Sequence, residues 1–262
     1  MFTLVLPFYN EINKLKITLE KIFPNLNIYN INQVILAHNG KKLDTKIIKN
    51  ELDIYLQDKR FLLLHTDDPG LGSGYRLGIR HAISKYIILS ACDFPFGFSD
   101  IEAFLDFYNK NQTFLSNKWD IHPSGHPIYG QNLPDECFVI GSKAHPRSVI
   151  FNLPPTRKLL SLGFYWLRVI TLGKQTPKDS QGTIIISKKL AIKLEKLVIS
   201  NNYFFSLEII TIHLWNGGII TEIPVRYNVN RTDKSSINFF REILIMLVSL
   251  IKLRSYKKYI FQ

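Results

Sequence analysis

The stretch SACDFPF, residues 90–96, holds the most concentrated chemistry in the sequence: an apolar run, YIILS, stops at a single carboxylate, Asp93, just after Ala91 and Cys92. A carboxylate at the carboxyl end of a buried strand can hold a metal or a phosphate at the edge where α/β proteins place their ligands. The same residue can also open a turn or cap the helix that follows. A second candidate is DDPGLGSGYRLG, residues 67–78. Counting from Gly70, the third glycine of a dinucleotide fingerprint should fall at Tyr75, and from Gly72 it should fall at Leu77, so G-x-G-x-x-G fails and a Rossmann dehydrogenase is excluded. Gly70 and Gly72 then read as permitting a tight loop against a phosphate or a sugar. Cys92 and Cys137 make neither a disulfide framework nor a metal cluster, which points to a reducing compartment.

The elements that must position these residues alternate. FTLVLP is rich in strand formers, and NEINKLKITLEKIF places Ile12, Leu15, Leu19 and Ile22 at helical spacing. NQVILAHNG predicts a second strand running into a glycine turn, followed by a helix over TKIIKNELDIYLQ. RFLLLHTD, GSGYRLGIRHAISK and YIILSACD read as strand, helix and strand. SDIEAFLDFYNK follows, with Ser99 and Glu102 at the spacing of a capping box. This order predicts a largely parallel sheet flanked by helices, with the loops PFYNE, AHNG, DDPGLGSG and CDFPF gathered on one edge. SNKWDIHPSGHPIYGQNLPDE, rich in Pro, Gly and His, has the length of an active-site loop. Beyond it CFVIGSK, GTIIIS and IITEIPVRYN read as strands, with KKLAIKLEKL and FSLEIITIHLWNGG as helices.

With 262 residues the chain can bury a large core, and 46% hydrophobic and 21% charged residues exclude a disordered protein. The net charge of +12 favours anionic partners. MFTLVLPFYNE lacks a basic start and a long apolar core, so it reads as a strand and not as a signal peptide or a membrane span. The tail SINFFREILIMLVSLIKLRSYKKYIF is interrupted by Arg241, Glu242, Lys252 and Arg254, leaving too short a run for a bilayer, which needs about 20 residues. An interfacial amphipathic helix and a terminal helix packed on the body both fit it. The expected organisation is a catalytic domain over 1–236 and an amphipathic, membrane-associated helix over 237–262.

Taken in order, LVLPFYNE, VILAHNG, PGLGSGYRLGIRHA, IILSACDFPFGFSDI, VIGSK, RKLLSLGFYWLRVITLG, KDSQGT and EIPVRYN resemble the family-two glycosyltransferases, and in particular the branch that moves sugars onto polyprenyl or dolichyl phosphate. The resemblance covers nearly the whole chain. It implies a GT-A fold, a Rossmann-like and largely parallel sheet whose front half binds a nucleoside diphosphate sugar, UDP- or GDP-linked. It further implies that Pro7, Tyr9, Asn10 and Glu11 hold base and ribose, with Gly70 and Gly72 close to the nucleotide sugar. Paired acids usually follow the second strand in this family; His38 and Asn39 stand there in this chain. The D-x-D motif that binds Mg²⁺ or Mn²⁺ through the sugar diphosphate is reduced to its last acid, Asp93. A hard cation that keeps waters and phosphate oxygens can be served by one carboxylate.

By the same resemblance Asp179 and Gln181 in PKDSQGT are active-site residues, and Lys143 takes the place of an arginine beside the nucleotide sugar. Arg157 and Ser161 on the helix RKLLS, together with Arg231, Lys234 and Ser235 after the last strand, are implied at the diphosphate or acceptor phosphate. The implied activity is an inverting transfer to a polyprenyl phosphate by a cytoplasmic enzyme peripheral to a membrane. Transfer to a sugar hydroxyl with Asp179 as base, and a degenerate member that binds nucleotide without catalysis, are the competing readings. Nucleic acid would explain the charge but not the ordered motifs.

Overall fold

The structure, a computed structural model, describes residues 1–40, 45–113, 135–229 and 239–260. The expected active-site loop lies largely outside the described residues, and so do Arg231, Lys234 and Ser235. The first half of the chain alternates as its periodicity predicts: β1 (Phe2–Phe8), α1 (Ile12–Ile22), β2 (Ile31–His38), α2 (Thr45–Leu56), β3 (Phe61–His65), α3 (Leu71–His81), β4 (Tyr86–Leu89) and α4 (Ser99–Thr113). The second half runs β5 (Phe138–Ser142), β6 (Val149–Phe151), α5 (Pro155–Leu172), β7 (Ile184–Ser187), α6 (Lys188–Glu195), α7 (Phe205–Trp215), β8 (Thr221–Pro224), β9 (Arg226–Asn228) and α8 (Phe239–Ile260).

Seven strands form one sheet in the order β3-β2-β1-β4-β7-β5-β8. β1 pairs in parallel with β2 and β4, β2 with β3, and β5 with β8; only β7 runs against its neighbours β4 and β5. The apolar runs of β1, β4 and β7 are buried on both faces, as strands covered by helices must be. One core cluster, including Phe2, Leu4, Leu19, Val34 and Phe104, fills one face, and a second, including Val5, Ile79, Ile185's neighbours Ile184 and Ile186, Phe205 and Ile209, fills the other.

Two local expectations change. IITEIPVRYN divides at Val225, β8 staying in the main sheet while β9 pairs in parallel with β6. Ser99 does not build a capping box: its hydroxyl donates to Phe96 O and accepts the Arg226 amide, while Glu102 accepts the Tyr29 hydroxyl. The strand connection thus uses a side chain that local spacing assigned to the helix end. Among the described residues no helix is long and apolar enough to cross a membrane. α8 packs on the body: Leu250 and Leu253 join the second core cluster, Arg254 donates to the carbonyls of Ile170 and Thr171, and the Lys257 ammonium lies 5.1 Å from the Trp215 ring centre.

Candidate active site

Because six strands of the sheet run one way and β7 runs the other, the ends of β1, β2, β3, β4, β5 and β8 share an edge with the start of β7. That edge collects the chemistry-bearing segments: Pro7–Glu11, His38–Asn39, His65–Asp68, Ala91–Asp93, Lys143 and Asp179–Gln181.

In the first half of the edge, Phe8, His38 and His65 are register partners across β1, β2 and β3. Their rings form a row, 5.2 Å between the centres of Phe8 and His38 and 4.9 Å between those of His38 and His65. His38 Nδ1 lies 2.8 Å from His65 Nδ1, so one ring donates and the other accepts, and His65 Nε2 is 3.0 Å from Asp67 Oδ1. Burial first, then the neighbouring His65, lowers the His38 pKa, which keeps this ring neutral at pH 7. Asn39 donates its amide NH₂ to Gly70 O, and Glu11 accepts the Tyr9 amide, fixing the loop after β1. The glycines of the α3 loop have a steric explanation within the protein. Gly70 sits at φ +107°, and a Cβ on Gly70 or Gly72 would collide with the Ser200–Asn201 backbone. Their small size therefore lets the start of α3 close onto the entry to α7, whatever else the loop binds.

Asp93 does not end the strand. β4 stops at Leu89, and Asp93 sits in a turn closed by the Phe94 amide on Ala91 O, followed by a second turn from Gly97 N to Phe94 O. Phe94 has φ +45°. A left-handed bulky residue carries a conformational strain of about 1–3 kcal/mol and must be held by its surroundings, here a buried ring in the core. Cys92 is pushed up to about 12 by burial and then by the charges of Asp93 and Glu11, which places both acids near it and keeps the thiol protonated at pH 7. Buried Tyr75 is likewise raised by burial first, with Cys92 and Asp93 adding to it.

Lys143 ties this turn to the other half of the edge. Its ammonium lies 3.4 Å from Asp179 Oδ2, 5.7 Å from the Phe96 ring centre and 5.8 Å from that of Tyr227. Asp179 Oδ2 also accepts the Lys143 amide at 2.9 Å, and Oδ1 accepts the Gln181 amide at 3.0 Å. Gly182 permits the close approach of this turn to β5, since a Cβ there would run into the Gly141 carbonyl. The Phe94–Gly97 turn that follows Asp93's, β9 and Asp179 are thus joined through one side chain. Arg157 and Ser161 lie apart from this cluster on the exposed first turns of α5, where the Ser161 hydroxyl donates to Arg157 O.

Sequence reasoning did not single out His65, Asp67, Phe96, Tyr227 or Arg168. Arg168 is the signal that could have been found: a second arginine of α5, set four residues after Phe164 within the apolar run GFYWLRVITL.

As for a metal, Asp93 supplies one hard oxygen ligand, Ala91 none, and Cys92 a protonated thiol. Among the described residues no three His, Cys, Asp or Glu side chains are grouped to hold an ion. A divalent cation at this edge would have to be carried mainly by a diphosphate, with a single carboxylate, Asp93, on offer from this turn.

The sheet order and its single reversed strand define a GT-A type α/β fold. The Glycosyl transferase family 2 profile matches residues 3–155, more than half of the chain, and the chain belongs to that family. A curated relative, the dolichyl-phosphate beta-glucosyltransferase of Saccharomyces cerevisiae (strain ATCC 204508 / S288c), is 23% identical over 236 residues, covering 86% of this chain and 66% of the relative. The chain therefore spans just under two thirds of that protein's length. Glucosyl-3-phosphoglycerate synthase from Mycobacterium tuberculosis in complex with UDP superposes with a TM-score of 0.58 at 14% identity, covering 97% of this chain and 79% of the other. The same enzyme in complex with Mn²⁺, UDP and glucosyl-3-phosphoglycerate gives 0.59 at 12% identity, with the same coverage of 97% and 79%. The expected fold and the expected family both hold.

Proposed function

We propose that the protein transfers a sugar from a nucleoside diphosphate sugar, UDP- or GDP-linked, to a polyprenyl phosphate at a membrane surface. The observation that carries this reading is the convergence, through Lys143, of the Asp179 turn and the Phe94–Gly97 turn that follows Asp93 on the sheet edge of a family-two fold. In the transfer an acceptor phosphate oxygen forms a bond to the anomeric carbon while the bond from that carbon to the diphosphate breaks, its electron pair leaving with the diphosphate. An anionic phosphate needs no general base, so the demand on the protein is to orient the donor and to stabilise charge on the leaving group. Pro7, Tyr9, Asn10, Glu11, His38 and Asn39 line the end of the sheet where the nucleotide would sit. Lys143 offers a positive charge and Asp179 an acceptor for sugar hydroxyls. A Mg²⁺ or Mn²⁺ ion held by Asp93 and the diphosphate would neutralise the departing group. Arg231, Lys234 and Ser235 keep their proposed role at the acceptor phosphate.

The membrane part of the reading is supported by α5. Leu159, Leu162, Trp166 and Ile170 recur on one side of that helix and are 71%, 52%, 55% and 73% exposed, with Arg157 and Lys158 at its start. Val248 and Ile251 of the adjacent α8 are exposed too, and Lys252, Lys257 and Lys258 follow on the same helix. An apolar stripe edged by cations suits the interface of an anionic bilayer. The tail reading is thereby extended: α8 packs on the body, and α5 offers the larger apolar face.

A second reading has its own support, since a neighbour of the same fold is a glucosyl-3-phosphoglycerate synthase, also solved in complex with the soluble phosphoglyceric acid. In it Asp179 would take a proton from an acceptor hydroxyl. The two are separated by incubating the protein with UDP- and GDP-sugars, Mg²⁺ or Mn²⁺, and either polyprenyl phosphate in vesicles or soluble glycans and phosphorylated hydroxy acids. Solvent-extractable lipid-linked sugar is expected. Product on the soluble acceptors alone would replace the first reading by the second, and absence of product across all donors would favour a nucleotide-binding protein without catalysis.

A further inference from the structure

Arg168 is the largest of the fully buried side chains, 2% exposed, and lies on the inner side of α5. Its Nη1 donates to Pro177 O at 3.1 Å and its Nη2 to Lys178 O at 2.9 Å. The guanidinium carbon stands 5.3 Å and 5.8 Å from the ring centres of Phe164 and Tyr165. Burial brings its pKa down to about 10, opposed by the charge of Asp179, so it remains a cation at pH 7. Burying a guanidinium is costly unless its donors are used, and here the fork is spent on two consecutive carbonyls of an irregular segment. Those carbonyls belong to the two residues immediately before Asp179. The Asp179 carboxylate itself is taken by the Lys143 and Gln181 amides and the Lys143 ammonium. Arg168 therefore grips the turn from behind while the reacting edge holds it from the front.

We propose that Arg168 is a positioning residue which, from the inner side of α5, fixes the Pro177–Asp179 turn and so sets where the Asp179 carboxylate stands during sugar transfer. The inference rests on the reading of Asp179 as part of the transfer site. It also makes α5 a helix with two duties, an exposed apolar stripe outside and the anchor of the reacting turn inside.

The test compares Arg168→Met, Arg168→Lys and Asp179→Asn in the full chain, measuring kcat, KM for the nucleotide sugar, and the fraction of molecules that bind UDP. Arg168→Met should lower kcat by about 10- to 100-fold, in line with misplacement of a reacting group by an ångström or so. UDP stoichiometry should stay within about twofold of the wild type, because β1 and β2, whose ends would carry the nucleotide, are separated from β7 by β4. Arg168→Lys keeps the charge but cannot serve two carbonyls with one fork, so it should recover part of the loss; it also stands in if the methionine variant does not fold. Wild-type kcat in both Arg168 variants with an inactive Asp179→Asn would overturn the inference, and so would a loss matched by a fall in UDP stoichiometry. Wild-type kcat in Asp179→Asn would overturn the reading of Asp179 itself.

Discussion

Among the described residues, the nearly buried carboxylates Glu195 and Asp179 both lie beside cations, and they are held in different ways. Glu195, at the end of α6 with its side chain 3% exposed, meets Arg80 at 2.8 Å and Arg76 at 3.1 Å. Arg76 also donates to the carbonyls of Glu195 and Val198, so the charges there are spent on one another and on the backbone, pinning α3 to α6. Asp179, 9% exposed, is held by two main-chain amides, its nearest ammonium is 3.4 Å away, and the buried Arg168 behind it bonds to carbonyls instead of to the carboxylate. Glu195 is bound through Oε1 by two guanidiniums and ties two helices together. Asp179 is bound through both oxygens, by two main-chain amides and one ammonium, and is fixed to its own turn and to the end of β5.

The largest expected effect separates the two. Asp179→Asn should cut turnover by roughly 10²-fold, since a neutral amide replaces the carboxylate that orients the sugar, and by up to about 10⁴-fold if Asp179 acts as the base of the second reading. Glu195→Ala should do the reverse, losing about 3–5 kcal/mol of stability in denaturant unfolding because two arginines lose a buried partner, while kcat per folded molecule is retained. Loss of catalysis from Glu195→Ala at full stability would erase the distinction.

Asp100 sharpens it. This fully buried carboxylate is held by neutral groups, the Ile101 amide at 2.8 Å and Thr183, and burial raises it to about 6 from an ordinary value of 3.8. Between these values the unfolded chain gives up the proton and the folded one keeps it, so stability falls as pH rises across that window and stays lower above it. Asp100→Asn should therefore gain stability relative to the wild type at pH 8, by up to roughly 3 kcal/mol, and gain little at pH 4. Equal unfolding curves at pH 8 would show that a neutral setting does not penalise this acid. The smallest effect concerns α5: Trp166→Ser, an exposed change, should leave stability within about 0.5 kcal/mol and weaken sedimentation with anionic vesicles several-fold. Unchanged co-sedimentation would remove α5 from the membrane reading.

Much of the first half of the chain was legible because its helices and strands declare themselves locally. Leu15, Leu19 and Ile22 mark α1, and the apolar runs of β1, β2 and β4 leave little alternative to buried parallel strands. The other half was harder because its features are tertiary. Nothing in GTIIIS says that β7 runs against β4, and the division of IITEIPVRYN at Val225 depends on β6 supplying a partner for β9. Ser99 fits a capping box by spacing, yet the Arg226 amide competes successfully for its hydroxyl. The motifs SACDFPF and PKDSQGT both reached the same sheet edge, but their link through Lys143, Phe96 and Tyr227 is made across the fold. Arg168 was passed over for Arg157 and Ser161 because sequence does not show that its fork folds back onto two carbonyls nine and ten residues further along the chain.

The central claim, that Asp93 and its neighbours hold the diphosphate of a nucleotide sugar through a divalent ion, is tested most directly by calorimetric titration of UDP and GDP with and without Mn²⁺. One of the two nucleotides should bind the wild-type protein at least about tenfold more tightly with Mn²⁺, and Asp93→Ala should lose that enhancement while keeping the metal-independent affinity. Binding that ignores Mn²⁺ in the wild type, or an enhancement that survives in Asp93→Ala, would contradict the account.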